Sequence, residues 1–83
     1  MQVLVINMNF IKSQHTGTMH HFSQIRLTFT KILKNILKED GILVLSGILD
    51  EKKSIVLNAV EHCGLKLVEE DHINQWTGLI VRR

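Results

Sequence analysis

Histidine and cysteine are the residues in which chemistry would be sought first. Among the five histidines, His15, His20 and His21 fall close together and His62 adjoins the single cysteine, Cys63. A structural zinc site draws four convergent ligands, commonly from two closely spaced pairs. Neither C-x-x-C nor H-x-x-x-H spacing occurs here, so the sequence predicts no metal centre and a solvated histidine-containing loop. Ser46 would need a positioned base to act as a nucleophile, and its surroundings, VLSGI, are not a G-x-S-x-G elbow. Cys63 falls on the apolar stripe of a predicted helix and reads as a small core hydrophobe, which turns His62 elsewhere. The glycines at 17, 41, 47, 64 and 78 form neither G-x-G-x-x-G nor G-x-x-x-x-G-K, so no phosphate cradle is present in the sequence.

The segment GILVLSGILDEKK, residues 41–53, is more informative. Ile42 to Leu45 is a short apolar run of the kind found in strands buried on both faces. Ser46-Gly47 then predicts a bend, Asp50 a helix N-cap, and Glu51 an acid in the first turn, where it meets the positive end of the helix. Corners at which a strand's carboxyl end meets a helix N-terminus are where α/β proteins hold ligands. Ser46 and Gly47 are therefore a candidate site corner.

The elements that must position this corner follow from periodicity. Gln2 to Met8, QVLVINM, predicts an interior strand. Residues 9–22 show neither period two nor period 3.6 and predict an irregular loop of unusual length. From Ser23 onward, Ile25, Phe29, Ile32, Leu33 and Ile36 recur at helical spacing, with Arg26, Lys31, Lys34 and Lys38 elsewhere on the wheel. Those cations, with Lys12, read as a solvated outer face. With no tyrosine to stack bases and Trp76 assigned to the core, nucleic acid is not the expected partner. A second helix is predicted over Asp50–Cys63, closed by Gly64. Leu65–Glu70 and Trp76–Arg82 predict an antiparallel pair joined by the polar turn DHINQ. Alternating strands and helices of this order predict an α/β fold with parallel pairing and right-handed crossovers.

Composition bounds the class. The chain has 83 residues, 45% hydrophobic and 22% charged, with no proline and a net charge of +2. That is enough for one small globular domain and too little charge to argue for a polyanionic partner. One cysteine excludes an internal disulfide and suits a reducing, cytoplasmic setting, and no stretch reads as a signal peptide or membrane span.

Residues 37–83, LKEDGILVLSGILDEKKSIVLNAVEHCGLKLVEEDHINQWTGLIVRR, resemble the carboxyl-terminal end of the methyltransferases that modify large-subunit ribosomal protein L11, most specifically in LVLSGIL and in Trp76 to Arg83. Upstream, VINM at residues 5–8 is similar to the Val-Ala-Asn-Ile that closes the fourth strand in that family. The resemblance implies half of a Rossmann-like class I methyltransferase sheet. It would have about four strands, two parallel plus a carboxyl-terminal antiparallel hairpin, and two helices. It places Asn7 near the methyl group of S-adenosylmethionine and makes a ribosomal protein the substrate. The family's glycine-rich cofactor turn and ribose-binding acid have no counterpart in these residues, and FIKSQHTGTMHH, residues 10–21, matches nothing in the family pattern. The expectation is a single truncated α/β domain over residues 1–83 that binds no cofactor alone.

A strand as apolar as QVLVINM calls for a neighbour on each side, and only the strand at Ile42 can supply one. Val3 to Ile6 is therefore expected to pair with a second copy, with the missing amino-terminal half, or with a rearranged segment of its own loop. The alternatives to a methyltransferase fragment are an assembly module working through that strand and a weak RNA-binding accessory.

Overall fold

The computed structural model describes residues 1–9 and 18–83 and, within the helix that opens at Thr18, side chains from Phe22 onward. In chain order the elements are β1 (Val3–Asn7), α1 (Thr18–Asn35), β2 (Ile42–Leu49), a 3-10 turn (Asp50–Lys52), α2 (Lys53–His62), β3 (Lys66–Ile73) and β4 (Trp76–Arg82). The strands form one sheet in the order β1-β2-β4-β3. β1 and β2 run parallel, joined through α1, while β4 is antiparallel to both β2 and β3. This is the α/β architecture expected, two parallel strands and a terminal hairpin with two helices.

Helical and strand periods converge on one core. Ile25, Phe29 and Ile32 of α1 and Ile55, Val56, Ala59 and Val60 of α2 are buried together with Leu43, Leu45 and Ile48 of β2 and Leu79 and Val81 of β4. Each of these side chains except that of Ala59 contributes about 1.5–3 kcal/mol on leaving water. Because the buried strand residues alternate, both helices cover the same face of the sheet. The end of α1 is tied to both chain termini. Gln2 Nε2 donates to the Ile36 carbonyl at 2.9 Å, Arg83 Nη2 donates to the Leu37 carbonyl at 2.6 Å, and the same nitrogen reaches the Leu33 carbonyl. These side chains satisfy carbonyls that have no partner within a finishing helix.

Several local expectations are corrected. α1 starts at Thr18 rather than Ser23, so the expected 9–22 loop is helix over its last five residues; residues 10–17, including His15, lie outside the described residues. β2 does not stop at Leu45. It runs to Leu49, and its partners shift from Leu45↔Leu79 to Ile48↔Thr77, so one extra residue is absorbed as a bulge at Ser46-Gly47. Gly47 sits at φ +70°, the left-handed conformation that such a bulge places on glycine. Asp50 does not cap α2: a 3-10 turn intervenes, and the Asp50 carboxylate accepts the Thr77 hydroxyl instead. The hairpin turn is shorter than DHINQ, since Asp71, His72 and Ile73 are paired in β3 and only Asn74-Gln75 turns, with Asn74 at φ +56°. Trp76 is 38% exposed rather than core, because it pairs with Leu49 and Ile73 at the end of the sheet, on the face without helices. Cys63 is half-buried against the core cluster, and His62 beside it is exposed, as the stripe implied.

Candidate functional site

The expected corner forms where β1 ends beside the bulge of β2. Asn7 pairs with Ser46 across the parallel ladder, and the Met8 amide continues it by donating to the Ser46 carbonyl at 2.7 Å. Ser46 Oγ lies 3.4 Å from the Ile6 carbonyl, to which it donates. The hydroxyl is thus turned back onto β1 and is not poised as a nucleophile. The Asn9 amide donates to Asn7 Oδ1 at 2.8 Å, which fixes the orientation of the Asn7 side chain.

Asn7 rests directly over Gly47. A Cβ added at Gly47 would stand 2.6 Å from Asn7 Oδ1, closer than real Cβ atoms approach, so a side chain there would push the Asn7 carboxamide aside as well as strain the backbone. The three sequence-named residues, Asn7, Ser46 and Gly47, are therefore brought together. Among the described residues Asn7 Oδ1 accepts from one donor and Nδ2 donates to no acceptor, so the side chain retains hydrogen-bonding capacity toward an incoming group.

On the β4 side of the bulge lies a hollow of about 190 Å³, lined by Ser46, Gly47, Asp71, Ile73, Trp76 and Gly78. Sequence reasoning missed the last four. Their contribution depends on the β3–β4 register, which sets Asp71 opposite Gly78 and Ile73 opposite Trp76. The alternation of WTGLIVR could have marked Trp76 and Gly78 as sharing a face.

A second polar group lies on the helical side. His72 Nε2 is 2.6 Å from Glu70 Oε2, His72 Nδ1 is 3.2 Å from Thr77 Oγ1, and Lys53 Nζ bonds Glu70 Oε2 at 2.7 Å. Hydroxyl, imidazole and carboxylate stand in a row, as nucleophilic catalysis requires. Thr77, however, is 1% exposed, so no substrate reaches its oxygen and the cluster fastens the hairpin to the start of α2. The Thr77 hydroxyl, followed by His72, holds the Asp50 carboxyl below its usual range. The Lys53 ammonium, followed by His72, does the same for Glu70.

Among the described residues no cluster of three or more His, Cys, Asp or Glu side chains could hold a metal ion. No described helix is long and apolar enough to cross a membrane.

With this geometry in hand, comparison with known proteins is specific. Residues 22–83 match the family model of ribosomal protein L11 methyltransferase (PrmA). The ribosomal protein L11 methyltransferase of Dictyoglomus turgidum is 33% identical over 60 residues, 72% of this chain and 20% of that protein. Its Bacillus subtilis counterpart is 33% identical over 61 residues, 74% of this chain and 20% of that protein. The chain therefore spans about one fifth of the length of the relatives it matches. A crystal structure of ribosomal protein L11 methylase from Lactobacillus delbrueckii subsp. bulgaricus superposes with a TM-score of 0.65 at 21% identity, over 98% of this chain and 34% of that one, and so shares its fold.

Proposed function

The chain belongs to the ribosomal protein L11 methyltransferase family, and we propose that its 83 residues supply the carboxyl-terminal part of the catalytic domain of an S-adenosylmethionine-dependent ribosomal protein methyltransferase, with L11 as substrate. The observation that carries this reading is the seating of Asn7 on Gly47 at the carboxyl end of β1, where its parallel pairing with β2 stops, since open α/β sheets bind ligands at the carboxyl ends of their parallel strands.

In that role the chain's residues orient rather than react. Methyl transfer to an amine is accelerated chiefly by holding donor and acceptor in line, and an oxygen acceptor aimed at the amine hydrogen serves this. Asn7 Oδ1, held by the Asn9 amide, has a second lone pair free to accept such a hydrogen. The bulge keeps the approach open, because Gly47 places no side chain between β2 and Asn7.

These residues alone do not fit S-adenosylmethionine, which supplies the electrophilic methyl group. The hollow beside the bulge holds about 190 Å³, whereas sites that enclose molecules of that class run roughly 300–1,000 Å³. Nor do the five glycines make the turn that would receive the cofactor. We therefore infer that the 83 residues do not methylate without the cofactor-holding part of the domain. Calorimetric titration of the chain with S-adenosylmethionine is expected to give no heat of binding; micromolar affinity would overturn the proposal.

A further inference from the structure

We infer that the groove between α1 and α2, on the outer side of the helix layer, binds the backbone of a single-stranded nucleic acid. The inference goes beyond the methyltransferase reading and does not depend on it, since the groove lies across the sheet from Asn7.

Charge is divided unevenly along the chain. Residues 1–38 contain Lys12, Arg26, Lys31, Lys34 and Lys38 with no Asp or Glu, whereas all eight acidic residues follow them. Ile25, Phe29 and Ile32 turn one face of α1 into the core, so Arg26, Thr30 and Lys34, each four residues from the next, share a stripe along its flank. The packing of α2 beside α1 brings His62 and Cys63 against that stripe and leaves a hollow of about 400 Å³, with the half-buried Leu33 and Cys63 at its base. Its volume suits a small-ligand site, yet its rim is cationic.

Those cations are uncompensated. Among the described residues the ion pairs join Lys53 and His72 to Glu70 and Asp50, so Arg26 and Lys34 have no carboxylate partner. Arg26 Nη1 instead stands 3.3 Å from His62 Nε2, and because a guanidinium only donates, the imidazole nitrogen accepts. The other guanidinium N–H groups have no partner among the described residues and can fork onto a phosphate. The Thr30 hydroxyl is turned back onto the Arg26 carbonyl at 2.9 Å, and its small side chain leaves the path between the two cations open. From Arg26 to Lys34 the helix rises about 12 Å. A nucleic-acid strand carries one phosphate per about 3.4 Å of duplex axis, so both cations can be engaged by one short run of backbone.

An acidic peptide would need no more than these charges, but the groove also offers a ring at its Arg26 end. Phe22 meets His62 edge to face, with ring centres 5.6 Å apart and planes at 77°, which holds the exposed imidazole beside the guanidinium. Imidazole and guanidinium planes are surfaces on which unpaired bases stack, and a cationic groove with a stacking platform is how single strands are held without regard to sequence. A duplex keeps its bases inside and could use only the charges. The sequence expectation set nucleic acid aside because no aromatic interleaves the cations of α1; the ring comes from α2, 36 residues from Arg26.

The test titrates the chain into a fluorescently labelled oligouridylate of about twelve nucleotides and reads anisotropy over a range of salt concentrations. The logarithm of affinity is expected to fall with the logarithm of salt at a slope of about −1.4, two neutralised phosphates at about 0.7 each. Arg26→Gln and Lys34→Gln should each reduce the slope to about −0.7 and the double variant to near zero. Melting curves should not change, because both side chains are exposed. His62→Ala should keep the slope and weaken binding roughly tenfold by removing the stacking surface. Lys52→Gln, at the opposite end of α2, should bind as the wild type does. No binding at low salt, an unaltered slope in the double variant, undiminished binding by His62→Ala, or displacement of the oligonucleotide by polyglutamate as readily as by unlabelled oligouridylate would each overturn the inference.

Discussion

Gly47→Ala tests whether the Asn7 corner is built as described. Its backbone sits at φ +70°, and placing an L side chain in the left-handed region costs about 1–2 kcal/mol. The new Cβ would also stand 2.6 Å from Asn7 Oδ1, so Asn7 must swing away and give up the Asn9 amide, a further loss of about 1 kcal/mol. Together these predict about 2–3 kcal/mol, a fall in melting temperature of roughly 10–20 °C for a domain of this size. Gly64→Ala is the internal control: it too has positive φ, +78°, but a Cβ there meets no atom within 4 Å. It should cost only the backbone share. Urea unfolding followed through Trp76 reads both variants. In a double-mutant cycle, Asn7→Ala should recover about 1 kcal/mol in the Gly47→Ala background and none with Gly64→Ala. Equal costs for the two glycine substitutions, or no coupling between positions 7 and 47, would refute the idea that Gly47 exists to seat Asn7.

Two other outcomes follow from packing and charge. Phe29→Ala, which empties a fully buried position beneath the sheet, should cost about 3–5 kcal/mol, comparable with the whole stability expected of a domain this small, and circular dichroism should show a largely unfolded chain at body temperature. The Asp50 and Glu70 carboxyls are held below their ordinary values of 3.8 and 4.5, chiefly by Thr77 and Lys53 respectively. Their stabilisation is present above those values and is lost as pH falls through the depressed folded-state values. The melting temperature should therefore drop on acidification below about pH 4.5, and more shallowly in Glu70→Gln; a parallel acid limb in that variant would count against the network.

Much of this architecture was legible because it rests on period and on chain-local punctuation. Ile25, Phe29 and Ile32 announce a helix face, Gly64 its successor's end, and the two strands after it a hairpin, since each signal lies within a few residues of what it governs. What stayed hidden depends on pairing across the chain. Ser46-Gly47 reads as a stop in a one-dimensional pattern, yet β4 runs on beside it and provides partners for Ile48 and Leu49, so the irregularity is taken up as a bulge. Asp50 is a good N-cap by residue type, but the Thr77 hydroxyl competes for its carboxylate from 27 residues away. Trp76 reads as core by composition, while its register puts it at the open end of the sheet. Of the candidate site, Asn7 came from family resemblance and Ser46-Gly47 from the strand-to-helix pattern. That Asn7 sits on Gly47 is a fact of register alone.

The same reasoning explains why the apolar character of β1 was informative although its placement was not. A strand reading VLVIN fits an interior position by composition, and the sheet places it at an edge with Val5 largely in water. Sequence pattern reports the environment in which a segment is stable when its fold is complete; coordinates report the environment that the residues present can supply. Where the two agree, as for β2 between β1 and β4, nothing is owed to a partner. For β1 the two disagree on backbone pairing and side-chain burial together, at the edge and on the face that also carry Asn7 and Ser46.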